Sequence, residues 1–299
     1  MLDNSCKNLI KTVLSVLPSG ISEAFLEGGA QNAEELRLRV GRPLQIIFPF
    51  GERLIEDTSF TSEEAGELLE KLCRHSVYSR REELINGFVA FEGGARIGVC
   101  GRPVIENGAV KSMTEISGFN IRFTCEARGC AEPVMGFVSE QGRPVSALVV
   151  SPPGGGKTTL LRDMARCFSY GIGTAPVKVA IADERGELAG LSAGLPSFDI
   201  GPRTDVMDRM PKAAAMRLLV RTMSPDVMIT DEIGGMEDAA AVAEASRCGT
   251  AVIASAHAST ADDILMRPSL KNVVETGAFG RILLLKRTGS KLHISPLKI

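Results

Sequence analysis

Apolar positions recur along this 299-residue chain in two rhythms, and the change from one to the other divides it. In the first part the spacing switches between helical and two-residue steps. Leu9, Ile10, Val13, Leu14 and Leu17 form one stripe, which predicts a helix over 2–17 that Pro18-Ser19-Gly20 stops. Residues 35–40 alternate, with Leu36, Leu38 and Val40 on one face and Arg37 and Arg39 on the other. Turns at 41–43 and 49–52 lead into the segments 44–48 and 53–56, the pattern of a short antiparallel meander. Thr61 and Glu64 have capping-box spacing ahead of a helix from Ser62 to about His75, with Leu68, Leu69 and Leu72 inward. A second helix over 79–87 follows, then strands over 88–91, 96–103 and 119–125 with turn signals at Gly93-Gly94 and Asn107-Gly108. The expectation is a small α+β domain over 1–130.

Residues 131–144 read as a linker punctuated by Pro133, Gly136, Gly142 and Pro144, with room for a short helix over 133–140. From 145 onward, near-continuous apolar runs at 145–150, 177–182, 226–230, 251–256 and 281–285 alternate with helical patterns. Unbroken apolar strands belong to a parallel sheet covered on both faces, so 145–299 is expected to be an α/β domain.

Between the first of these strands and a helical stripe of Leu160, Leu161, Met164, Ala165 and Phe168 lies Ser151-Pro152-Pro153-Gly154-Gly155-Gly156-Lys157-Thr158-Thr159. Strand, glycine-rich turn, Lys-Thr, helix is the setting of a phosphate-binding loop. Glycines let backbone N–H groups turn inward toward phosphate oxygens, and the helix N-terminus adds its positive dipole end. Lys157 would reach the β- and γ-phosphates, and the Thr158 hydroxyl would ligate Mg²⁺. The usual pattern begins with glycine where this chain has Ser151, which can make the turn if its φ is negative.

Nucleotide hydrolysis also needs an acid on the metal and a group that orients water. The strand over 226–230 delivers Asp231 and Glu232 at its carboxyl end. Asp231 is the candidate for the Mg²⁺ water shell and Glu232 the candidate base. A second acidic segment, Asp183-Glu184-Arg185-Gly186-Glu187, ends another apolar strand and should lie along the same sheet edge, beside the loop. Asp183 or Glu184 could share the metal or the water, with Glu187 one turn on. His257 ends the strand over 251–256 and is a candidate sensor of the γ-phosphate. Arg96, Arg122, Arg203, Arg217 and Arg221 are candidates to reach a neighbouring subunit's nucleotide.

Composition narrows the classes. A formal net charge of −2 and no Trp speak against nucleic acid as a partner. Seven cysteines without a C-x-x-C pair, and three histidines, do not suggest a zinc site and fit a reducing compartment. No run of 18 apolar residues is present, and the first residues lack the pattern of a signal peptide, so neither a membrane span nor a leader is expected.

Loop, acidic box, acidic strand and histidine, in this order, resemble the secretion-ATPase superfamily that powers type II and type IV secretion and type IV pili. Within it the chain is similar to the stage III sporulation protein AA family of spore-forming bacteria. The phrases that carry this are Ser76-Val77-Tyr78-Ser79-Arg80, Gly98-Val99-Cys100-Gly101-Arg102, Asn120-Ile121-Arg122, the loop 151–159, 226–235 and 254–257, so the match is clearest over 70–299. The resemblance implies an N-terminal domain followed by a RecA-like P-loop ATPase domain. It implies Lys157 and Thr158 as phosphate and Mg²⁺ ligands, Glu232 as the glutamate of the second acidic motif, Glu184 in the acidic box and His257 in the histidine box. It also implies a ring of six subunits that binds and hydrolyses ATP, docked from the mother-cell cytoplasm on membrane proteins of a channel to the forespore. Two other readings share the loop: a nucleic-acid-stimulated ATPase, and a nucleotide-gated scaffold that does not hydrolyse.

Overall fold

The computed structural model describes residues 4–48, 51–74, 76, 80–91, 96–106, 108–123, 127–192, 194–258, 263, 266, 271, 277–288 and 291–298. The expected turns at 49–50, 93–94 and Asn107, and the phrase 77–79, fall outside these residues, as does the side chain of Arg96. The chain divides into two units, Met1–Cys125 and Glu126–Ile299.

In the first unit, α1 (Asn4–Leu14) is followed at once by α2 (Ser19–Gly28). Pro18 does not end helical structure here; it caps α2, where its fixed φ suits the helix entry and no N–H is needed. Ile21 and Phe25, one turn apart, are buried with Leu9, Val13 and Leu17. The meander forms β1 (Glu35–Arg39), β2 (Pro43–Phe48) and β3 (Gly51–Ser59), with Leu36 and Leu38 fully buried. The capping box is made: Thr61 and Glu64 each accept the other's backbone N–H at the start of α3 (Ser62–Leu72). After α4 (Arg81–Ile85) come β4 (Phe88–Ala90), β5 (Arg96–Glu106) and β6 (Ala109–Arg122), giving an antiparallel sheet of order β3-β2-β1-β6-β5-β4. β6 starts ten residues before the strand expected at 119, and its outer half, 109–117, carries no fully buried residue. A solvated hairpin arm has no core-facing period to read, which is why the pattern shortened it.

In the second unit the segment expected to be a linker packs as part of the fold. Ala131, Val134, Met135 and Val138 are buried, Ala131 N–H donates to Asp163, and Arg281 donates to the Phe137 carbonyl. Their spacing is that of an apolar helical face, here realised as one 3₁₀ turn, Glu132–Val134. A small hairpin of β7 (Ser139–Glu140) and β8 (Arg143–Pro144) leads to β9 (Ala147–Ser151) and α5 (Lys157–Tyr170). Then come β10 (Val179–Asp183), the hairpin β11 (Leu191–Ser192) and β12 (Leu195–Pro196), β13 (Thr204–Asp208), α6 (Lys212–Met223), β14 (Val227–Thr230), α7 (Met236–Arg247), β15 (Ala251–His257), β16 (Arg281–Thr288) and β17 (Lys291–Lys298).

The main sheet has order β13-β10-β14-β15-β9-β16-β17, parallel throughout except for β17. Successive residues serve opposite faces. Ala147, Val149, Val179, Ile181, Val227 and Ile229 pack with α5, while Leu148, Val150, Ala180, Ala182, Met228 and Ala254 pack with α6 and α7. The two edge strands β13 and β17 were not expected. β13 reads Thr-Asp-Val-Met-Asp and β17 carries Lys, His, Ser and Pro, because an edge strand covered on fewer sides need not be apolar.

Candidate nucleotide-binding site

Four strand ends meet along one edge of the parallel sheet. β9 ends in the glycine loop at Ser151, β15 ends at His257, β14 hands over to Asp231 and Glu232, and β10 ends at Asp183. β15 pairs directly with β9, with His257 opposite Ser151, and lies between the loop and the acidic strand. The acidic box after β10 therefore shares the loop's sheet edge but is not beside it: β14 and β15 stand between.

Gly155 has no room for a side chain, since a Cβ there would sit 2.3 Å from Ser151 Oγ. Gly156, at φ +89°, caps α5, and it makes no side-chain cap to the helix's first N–H groups. Those N–H groups, with the dipole behind them, are suited to an anion. Ser151 itself ends β9 and is not among the residues with positive φ, so a glycine is not required there. Thr158 is half-buried in the first turn.

Lys157 is buried, at 6% exposure, and its ammonium donates to the Ser151 carbonyl (3.0 Å) and the Pro152 carbonyl (3.2 Å), and to His257 Nδ1 (2.9 Å). An ammonium has no lone pair, so Nδ1 must accept and the ring proton sits on Nε2. Nε2 lies 2.8 Å from Glu232 Oε1 and donates to it. Arg185 takes the other carboxylate oxygen, Oε2, at 2.8 Å. Lys157, His257 and Glu232 thus form one hydrogen-bonded line across three strand ends.

Charge follows burial. Burial lowers the Lys157 pKa, partly opposed by Glu232 and Asp231. Burial raises that of Glu232, but the hydrogen bond from His257 and the Arg185 and Lys157 charges outweigh it, and the net shift is downward. Asp231 goes the other way, to about 6: burial raises it, Lys212 opposes, and Asp183, Glu187 and Glu232 add to the rise. Its Oδ1 is buried without a hydrogen-bond partner.

An acid whose folded pKa lies above its unfolded value keeps its proton on folding. Between about pH 4 and 6 the native state holds a proton that the unfolded chain has released, so this group favours folding at low pH and opposes it above 6, by about 3 kcal/mol. Asp231→Asn should therefore stabilise the nucleotide-free protein at pH 8 and not at pH 4. Urea midpoints of both proteins at the two pH values measure this; an equal difference at both would rule out the carboxylate as the cause.

The three acids of the box are placed differently. Asp183 is fully buried, and its carboxylate accepts the N–H groups of Glu187 (2.9 Å), Leu188 (3.0 Å) and Ala189 (2.9 Å). It is committed to folding its own loop. Glu187 is half-buried, and its carbonyl accepts from Arg162 at 2.6 Å. Glu184 is 41% exposed and pairs with Lys212 at 3.4 Å. Of the arginines, Arg203 bonds the Ser169 carbonyl at 2.8 Å, Arg217 pairs with Glu244 at 3.0 Å and Arg122 with Glu35 at 3.3 Å, while Arg221 is exposed at the end of α6.

Three contributors were not anticipated. Arg185 holds Glu232. Ser255 Oγ accepts the Glu232 N–H at 2.9 Å. Lys212 donates to the carbonyls of Asp231 and Glu232, both at 2.7 Å. One signal was available for Lys212: a lysine in the first turn of a helix opposes the dipole, so it is retained there for another partner.

A family model for sporulation stage III, protein AA matches residues 10–297. Stage III sporulation protein AA of Bacillus subtilis (strain 168) is 42% identical over 279 residues, covering 92% of this chain and 90% of that one. Among solved structures, the Legionella pneumophila ATPase DotB superposes with TM-score 0.62 at 14% identity, covering 94% of this chain and 80% of the other. The pilus retraction motor PilT with bound ADP superposes with TM-score 0.62 at 18% identity, over 94% and 83%. At these identities the likeness is one of fold: a mixed α/β arrangement with a mainly parallel sheet, preceded by an antiparallel unit.

Proposed function

The chain belongs to the sporulation stage III protein AA family, and from that premise we propose that its second unit binds ATP with Mg²⁺ and hydrolyses it. The observation that carries this reading is the line from Lys157 through His257 to Glu232, which joins a phosphate cradle to an ionised carboxylate. On this reading the protein is the motor of a secretion-like channel complex in endospore formation. It acts as a homohexamer in the mother-cell cytoplasm, held at the membrane by other stage III proteins of that complex. No helix among the described residues is long and apolar enough to cross a membrane.

The residues suit the nucleotide and the metal. The glycine cradle, closed to any Cβ at Gly155, suits phosphate oxygens, and the unpartnered Asp231 Oδ1 suits the water shell of Mg²⁺. Thr158 and Asp231 would hold the ion, which neutralises charge on the phosphate oxygens when bound. Lys157 would exchange the Ser151 and Pro152 carbonyls and His257 for the β- and γ-phosphates. His257 Nδ1, released from Lys157, would then face the γ-phosphate and, once the ring takes up a second proton, donate to one of its oxygens while Nε2–H stays on Glu232. Glu232, with a lowered pKa, is a weak proton acceptor but a firmly charged one, so its work is to orient the attacking water. Glu184, exposed and paired with Lys212, would act from outside this line.

The test is phosphate release by purified protein with ATP, with and without Mg²⁺, alongside solution mass with and without a non-hydrolysable analogue. Mg²⁺-dependent release and a nucleotide-dependent hexamer are expected. Release that rises many-fold only with DNA or RNA would move the assignment to a nucleic-acid motor. Binding without release in the assembled ring would make it a scaffold.

A further inference from the structure

Glu232 adopts φ +43°, a left-handed conformation that a residue with a side chain takes up only where its surroundings impose it. What imposes it is visible. Ser255 Oγ accepts its N–H, and Lys212 holds the carbonyls of the turn. Lys212 is 7% exposed at the start of α6. An ammonium has three donors, and here three acceptors surround it: the carbonyls of Asp231 and Glu232 at 2.7 Å each, and Glu184 Oε2 at 3.4 Å. Next to Glu184, Arg185 reaches the Glu232 carboxylate itself at 2.8 Å. The acidic box thus meets the acidic turn through two adjacent residues of opposite charge, one acting on its backbone through Lys212 and one on its side chain.

We propose that Lys212 is a positioning residue for hydrolysis: its two bonds to the Asp231–Glu232 turn hold Glu232 in the left-handed conformation that aims the carboxylate at His257. This rests on the ATPase reading above. It also gives Glu184 a task other than that of a second base, namely to neutralise and steer Lys212. The contacts of the Lys212 ammonium go to Asp231, Glu232 and Glu184, so its removal should act on turnover and not on binding.

The experiment compares wild type, Lys212→Met, Lys212→Arg and Glu232→Gln for kcat, KM and affinity for a non-hydrolysable ATP analogue. Lys212→Met keeps an unbranched side chain but no donors. Its kcat should fall about 10- to 100-fold, the range for a reacting group displaced by about 1 Å, with analogue affinity unchanged. Lys212→Arg restores two donors and should recover most of the loss. Wild-type kcat in Lys212→Met overturns the proposal. So does a parallel fall in kcat and affinity that arginine fails to rescue, the sign of a merely structural role. Should Lys212→Met not fold, Lys212→Gln decides: its amide is one bond too short for the carbonyls, so lowered kcat at unchanged affinity supports the proposal and wild-type kcat overturns it. Glu232→Gln separates the two levels. If it turns over normally, the hydrolytic reading falls and this proposal with it; if it is inactive while Lys212→Met is fully active, only the positioning role falls.

Discussion

Glu232→Gln is expected to reduce phosphate release about 10³-fold, within the range for loss of a general base or water-orienting group, while ATP still binds. The substitution preserves shape. The Glu232 N–H stays on Ser255 Oγ, and a glutamine oxygen can still accept from His257 Nε2–H, so the turn and the histidine keep their places. What is lost is the negative charge, which Arg185 and His257 now hold in position for water. On the proposed reading Glu232 lies beyond the loop that would hold the phosphates, so the ground-state contacts of the nucleotide should be untouched. The variant should therefore show the same KD for an ATP analogue as wild type and should trap ATP in the assembled state. Near wild-type turnover would show that another acid orients the water, and Glu184 would be the next residue to test.

Lys157→Ala should act at the other end of the same line and fail earlier, at binding. On the proposed reading, removing the ammonium would take away a charge-assisted partner for two phosphates, each such bond being worth about 1.5–3 kcal/mol. That corresponds to an affinity loss of about 100-fold or more. The fold should survive, because burial already holds the Lys157 ammonium at a cost that lowers its pKa. The His257 Nδ1 and the carbonyls of Ser151 and Pro152 lose a donor, but the site opens toward solvent where His257 is half-buried, and water can replace it. Titration with a fluorescent ATP analogue, with circular dichroism as the fold control, reads the effect. Unchanged affinity would mean that backbone N–H groups of the loop carry the phosphate alone.

The two variants differ in what they separate. Lys157→Ala loses binding and turnover together, whereas Glu232→Gln keeps binding and loses turnover. A protein that gated by nucleotide without hydrolysis would respond to the first and ignore the second.

The hydrophobic pattern found the central strands of the second unit because each is buried on both faces, and it missed β13 and β17 because edge strands are not. It read 131–144 as a linker, since glycine and proline punctuation is visible in sequence while the burial of Ala131, Met135 and Val138 against α5 and the sheet is not. It left the acidic box open among three acids of similar chemistry. Three backbone N–H groups bind Asp183, Lys212 binds Glu184, and only the folded loop distinguishes them.

Spacing along the chain is enough to find the glycine-rich loop between strand and helix, the acidic pair and the histidine at a strand end, because each depends on neighbours within a few residues: a strand, a run of glycines, a helix start. The order of the strands is another matter. Placing β15 between β9 and β14 brings His257 within one hydrogen bond of both Lys157 and Glu232, residues 100 and 25 positions away. Placing β10 beyond β14 moves Glu184 out of that line and sets Arg185 against Glu232. Strand order is chosen by how two helical layers cover one sheet, a property of the packed whole that no local window of sequence contains.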